Sequence, residues 1–173
     1  MKVKNNLGDL IYIEDKEFFD QQKIAGGLLR RLFSYLESEL KNNTNGLYID
    51  KIAEEFILDN KCTPTFKNYK RDYKIFPNAT CISTNNIAVH GIPNNIEFKS
   101  GDIVSIDIGL TYNNSIVDSA VTLIIDSPNN QQELNLVNST KLALEEAIKS
   151  ITVESRFGVI GEVISKIGSN YSV

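Results

Sequence analysis

Apolar positions recur along this chain with two different periods, and the changes of period divide it into segments. From residue 15 to 40 the spacing is helical: Ile24, Leu28, Leu32, Leu36 and Leu40 recur every fourth residue, and Phe19 and Phe33 widen the stripe. Gly26 and Gly27 lie inside that helix at a cost in propensity, which implies a neighbour packed closely there. "KNNTNG" (41–46) has turn chemistry, and a shorter helix over about 48–60 puts Ile52, Ala53, Phe56 and Ile57 on one face. Residues 62–77, "CTPTFKNYKRDYKIFP", are irregular and aromatic. The period then drops to two. "TCIST" (80–84) and "NIAVHG" (86–91) read as short strands around an Asn-Asn turn, and a long hairpin covers 102–125. Helical spacing resumes at 134–148 and at 157–167, and "NYSV" (170–173) reads as the start of another strand. Helices, then antiparallel strands, then helices make an α+β order.

The hairpin carries the first chemical question. In "SIDIGLTYNNSIVD" (105–118), Asn113-Asn114 suits a two-residue turn, because asparagine tolerates positive φ. Tyr112 then faces Ser115, Gly109 faces Asp118, and Asp107 faces Ala120. Alternation puts Asp107 and Asp118 on one face as diagonal neighbours, with Cα atoms roughly 7–8 Å apart. Gly109, opposite Asp118, leaves open space beside them. Val104, Ile106, Ile108 and Leu110 form the other, core-facing side. Two readings stand side by side. Paired carboxylates repel unless a cation lies between them, and aspartate oxygens are hard ligands for a divalent ion. Alternatively, this is the wet face of a half-buried sheet, shared with Ser105, Thr111 and Thr122. Two aspartates are also too few ligands to hold a divalent ion tightly.

Composition narrows the classes. The 173 residues are 42% hydrophobic and 23% charged, enough for one domain with a core or most of a larger one. The net charge is −4 without a polybasic block, so neither nucleic acid nor an anionic membrane is attracted electrostatically. The first residues lack a signal-peptide core and no 18 apolar residues run together, which predicts a soluble, cytoplasmic protein without a membrane partner. Cys62 and Cys81 then read as free, buried thiols.

The region "CISTNNIAVHGIPNNIEFKSGDIVSIDIG", with "DSAVT" after it, resembles the methionine aminopeptidases of type I. The match lies in order and spacing: Cys81, nine residues to His90, "HGIP", "GDIVSID", and a second aspartate eleven residues on. "KIAGGLL" also resembles that family's opening helix, so the resemblance runs from about residue 10 onward. It implies the pita-bread fold, a pseudo-symmetric α+β domain around two divalent metal ions (Mn, Fe, Co or Zn). It also implies removal of the N-terminal methionine from nascent chains by metal-assisted hydrolysis. On this resemblance Asp107 and Asp118 match metal ligands. His90 matches the histidine that hydrogen-bonds substrate at the scissile peptide, and Cys81 a residue of the methionine pocket. Tyr73 and Phe76 match pocket aromatics, in a segment a few residues longer than usual where Tyr69 could replace Tyr73. Prolidases and aminopeptidase P share the paired-aspartate hairpin but not the "CIST" and "HGIP" run.

The family's centre takes one histidine and two glutamates from its second half, whereas His90 is the only histidine in this chain. The expectation is therefore a single, truncated catalytic domain: about 10–125 as the first half and about 126–173 as the start of the second. Such a chain would be monomeric if complete, and inactive alone. The competing expectation is a non-catalytic pita-bread module that binds a peptide or protein.

Overall fold

The computed structural model describes residues 2–4, 8, 10–12, 14–71 and 74–171. After a short hairpin of β1 (Lys2–Lys4) and β2 (Leu10–Tyr12), two capped helices follow. α1 (Lys16–Glu39) starts at Asp15, whose carboxylate accepts the Phe18 N–H at 2.9 Å. α2 (Gly46–Asp59) starts at Asn45, whose side-chain oxygen accepts the Tyr48 N–H at 2.9 Å. The buried stripe of α1 is Ala25, Leu29, Leu32 and Leu36. This corrects the every-fourth-residue row. At 3.6 residues per turn such a row drifts by about 40° per step, so Ile24 is exposed while Leu28 and Leu40 are only partly buried. Phe19 is exposed as well. Among the described residues Gly26 and Gly27 have no close neighbour either: a Cβ at either would meet nothing within 4 Å.

The main sheet is antiparallel and organised on β7 (Ile103–Tyr112). β8 (Ser115–Ile124) pairs along one edge for ten residues. On the other edge lie β6 (Thr80–Thr84) and, further along, β3 (Thr63–Pro64). β4 (Lys70–Arg71) and β5 (Lys74–Ile75) form a small separate hairpin. Val104, Ile106, Ile108 and Leu110 project from β7 into the core with Leu32, Leu36, Ile49 and Ile57. Completely burying a large aliphatic side chain contributes about 1.5–3 kcal/mol, so this layer holds the fold.

The strand expected at 86–91 is a loop. Asn85 and His90 both adopt positive φ (54° and 58°), and Ile87 and Val89, the apolar members of the apparent alternation, face solvent. Beyond the sheet, α3 (Gln131–Ser150) begins at Asn130, whose side chain accepts the Glu133 N–H at 2.9 Å. α4 (Gly158–Tyr171) carries on through Asn170 and Tyr171, which overturns the strand expected there; Ser172 and Val173 lie outside the described residues. α3 and α4 pack on one another, burying Ser139, Ala143 and Ala147. Among the described residues, no helix is long and apolar enough to cross a membrane.

Candidate metal centre

The turn that sets the site is built from two left-handed residues, Asn113 (φ 45°) and Asn114 (φ 67°). It fixes the register as the alternation implies: Tyr112 opposite Ser115, Gly109 opposite Asp118, Asp107 opposite Ala120. On the other edge of β7, Cys81 of β6 stands opposite Asp107. Cross-strand partners project to the same side, so Cys81, Asp107 and Asp118 share one face, away from the core.

Two devices hold the neighbouring chain in place. Asp50, buried on α2, accepts the Thr80 N–H and the Thr80 hydroxyl, each at 2.8 Å, and an Asn78 side-chain N–H at 2.7 Å. That fixes the start of β6 one residue before Cys81. After the loop, Gly91 is seated against β6. Its N–H donates to Ser83 Oγ (3.1 Å) and its carbonyl accepts the Ile82 N–H (2.9 Å). A Cβ on Gly91 would lie 2.2 Å from the Ile82 carbonyl oxygen, so only glycine permits this approach. His90, in the left-handed conformation just before it, is exposed.

The electrostatics tie these residues together. Burial, then the charge and hydrogen bonding of Asp118, push the Asp107 carboxyl up to about 6, while a charged His90 pulls it the other way. Burial, then the charges of Asp107, Asp118 and Asp50, push the Cys81 thiol up to about 11. At neutral pH Cys81 is therefore a neutral thiol, suited to apolar contact. The Asp107–Asp118 pair carries more negative charge than its surroundings compensate, and a proton or a cation relieves it. Hard carboxylate oxygens fit a divalent ion. Among the described residues, no group of three or more His, Cys, Asp or Glu side chains could hold a metal ion, so a cation on this face would meet only the two aspartates there.

The space expected beside Gly109 is filled. A Cβ on Gly109 would lie 2.7 Å from Phe66 Cε1 and 3.1 Å from Thr65 Cβ. The Thr65 N–H donates to the Gly109 carbonyl (2.9 Å), and Thr65 and Thr111 share a hydroxyl hydrogen bond (2.9 Å). Ser105 and Thr122 also bond each other, at 2.7 Å. These threonines and the serine are therefore paired and half-buried rather than solvated. Phe66 escaped the sequence reading, although its signal was present: a glycine in mid-strand marks a close approach by another group. Of the aromatics expected in the pocket, Phe76 is half-buried, with backbone bonds to Asn68 (2.8 Å) and Tyr69 (2.9 Å). Tyr69 is exposed, and Tyr73 lies outside the described residues.

Comparison with known proteins gives a consistent result. The sequence profile of the family described as Metallopeptidase family M24 matches residues 20–171. The chain is 39% identical over 155 residues to a methionine aminopeptidase of Mycoplasma capricolum, covering 90% of this chain and 60% of that protein. It is 34% identical over 140 residues to a methionine aminopeptidase of Helicobacter pylori, covering 81% and 53%. The crystal structure of methionine aminopeptidase from Rickettsia prowazekii superposes with a TM-score of 0.86 at 25% identity, over 93% of this chain and 63% of that one. Prolidase from Pyrococcus furiosus shares the fold, with a TM-score of 0.74 at 19% identity over 92% and 44%. The chain thus spans between half and two thirds of the length of these curated relatives.

Proposed function

The chain belongs to metallopeptidase family M24 and has its pita-bread α+β fold; on that premise we propose that it carries the front part of a methionine aminopeptidase site. The observation that supports this most is the register that sets Cys81, Asp107 and Asp118 on one face, with His90 close enough for its charge to act on Asp107. In this reading Asp107 and Asp118 hold divalent metal, two ions in the complete site. When bound, the metal supplies Lewis acidity that activates water against a peptide carbonyl. Asp118 and Asp107 keep the face anionic and in register. His90, exposed and held by the Gly91 seat, donates a hydrogen bond to the substrate carbonyl where negative charge develops. Cys81 stays protonated and lines the methionine thioether with Phe76. The substrate class is the N-terminal methionine of nascent polypeptides, which implies a cytoplasmic site of action.

Mn²⁺ titration by electron paramagnetic resonance tests the metal assignment. Wild type should bind weakly, with Asp107→Asn abolishing binding and His90→Ala preserving it; loss of metal in His90→Ala would overturn these roles. Release of methionine from a Met-Ala-Ser peptide in Mn²⁺ tests the chemistry. With two carboxylates as its donor set among the described residues, the 173-residue chain should not turn over alone, and turnover would refute that. The same sparse donor set favours a second reading, a non-catalytic peptide-binding module. Wild-type indifference to Mn²⁺ would select it.

A further inference from the structure

Phe66 has a defined place on the carboxylate face, and the residues on either side of it explain why. Gly109 is the cross-strand partner of Asp118 and lies two residues from Asp107 on the same face. A ring seated against Gly109 therefore stands beside both carboxylates. Thr65, immediately before the ring, is fixed to β7 through the Gly109 carbonyl and the Thr111 hydroxyl. Lys67, immediately after it, reaches across to α2 and donates to both carboxylate oxygens of Glu54, at 2.5 and 2.7 Å. The side chains of this pair are 35% and 25% exposed, so solvent and salt screen it less than a free surface pair. Asn68 then turns the chain away in the left-handed conformation (φ 65°). The strand clamps one side of Phe66 and the helix clamps the other.

We propose that Glu54 and Lys67 are a positioning pair: their ion pair holds the Phe66 ring as an apolar wall over the Asp107–Asp118 face, where the first side chain of a bound peptide lies. The identity of that peptide rests on the methionine aminopeptidase reading above; the positioning itself does not. Neither residue touches the substrate, and both act through the ring.

The test uses the 173-residue chain. Ring current from Phe66 should displace the Gly109 α-proton resonances from their positions in Phe66→Leu. Lys67→Met, which keeps the stem and removes the charge, should lose at least half of that displacement. Lys67→Arg and the exchange Glu54→Lys with Lys67→Glu should keep it. An unchanged Gly109 displacement in Lys67→Met overturns the proposal; if that variant fails to fold, Glu54→Gln makes the same comparison. Titration with L-methionine supplies the second readout. Lys67→Met should weaken its binding roughly five-fold, the scale of a partly buried ion pair, and move the Mn²⁺ midpoint by less than about two-fold. Equal weakening of both ligands would indicate general damage and overturn positioning. If wild type binds no L-methionine, the functional reading and the wall's ligand fall together, and the Gly109 displacement alone decides the ion pair.

Discussion

The two helix pairs of this chain both carry apolar stripes and meet opposite fates. α1 and α2 bury Leu32, Leu36, Ile49 and Ile57 completely against Val104, Ile106, Ile108 and Leu110. α3 and α4 bury Ser139, Ala143 and Ala147 between them and leave Leu144, Ile148 and Ile164 exposed. The difference lies in the partner. A sheet lies beneath the first pair, whereas the second meets the sheet mainly where α3 approaches β8. An apolar stripe is a demand for a surface, and the sequence of the stripe does not say whether that surface is supplied.

The largest effect that would test this contrast is in the core. Leu36→Ala should cost about 2–5 kcal/mol in urea unfolding, whereas Leu144→Ala should change stability by less than about 0.5 kcal/mol. Equal losses would mean that the two pairs share one cooperative core. Next comes the seat of the histidine loop. Gly91→Ala must push its Cβ off the Ile82 carbonyl, so it should cost about 1–3 kcal/mol and shift the His90 imidazole resonances, which Leu144→Ala should leave in place. Hydrogen exchange should then separate the pairs directly. Amides of α3 and α4 should exchange roughly ten-fold or more faster than those of the buried turns of α1, and uniform protection would erase the distinction.

The smallest effect is the pH dependence of the carboxylate face. Asp107 titrates near 6 in the fold against an ordinary value of 3.8, so folding favours its protonated form. Its contribution to stability is full below about pH 3.8 and is lost as pH rises through about 6. Asp107→Asn lacks this titration. The melting temperature of the metal-free variant should therefore gain on that of wild type between pH 4 and 7, and saturating Mn²⁺ should narrow the gap by stabilising wild type. A gap that closes with rising pH in the absence of metal would contradict the assignment.

How much of this was legible in the sequence depended on the range of the interactions. The hairpin register followed from Asn113-Asn114 and strict alternation, because a two-residue turn leaves the strands no freedom to slip. The placement of Asp107 and Asp118 on one face followed with it, whereas Cys81 joins that face only through the β6–β7 pairing. In α1 Leu32 and Leu36 were placed correctly, but the first turns of the stripe were off by one position, Ala25 and Leu29 for Ile24 and Leu28, because a four-residue spacing only approximates the helical turn over a short span. Residues 86–91 misled because Ile87 and Val89 alternate like a strand while the left-handed Asn85 and His90 bend the backbone out of one. For Phe66 the mid-strand glycine signalled a close approach but could not name the partner. Its contact with Gly109 joins residues 43 positions apart (109 − 66), and only the assembled sheet brings them together.

One consequence of this layout concerns the order in which the protein is made. α1, α2 and every strand from β3 to β8 lie between residues 16 and 124. The sheet, its covering helices and the carboxylate face are thus all translated before α3 begins at residue 131. At about 5–20 residues per second, the helical hairpin that follows takes a further 2–8 seconds or so to synthesise. The two regions that differ in burial therefore also differ in age, and the older one can fold on the ribosome without waiting for the younger. Ribosome-held chains of stepwise increasing length should show protease protection of α1 through β8 before that of α3; simultaneous protection of both would show that the first layer waits for the second.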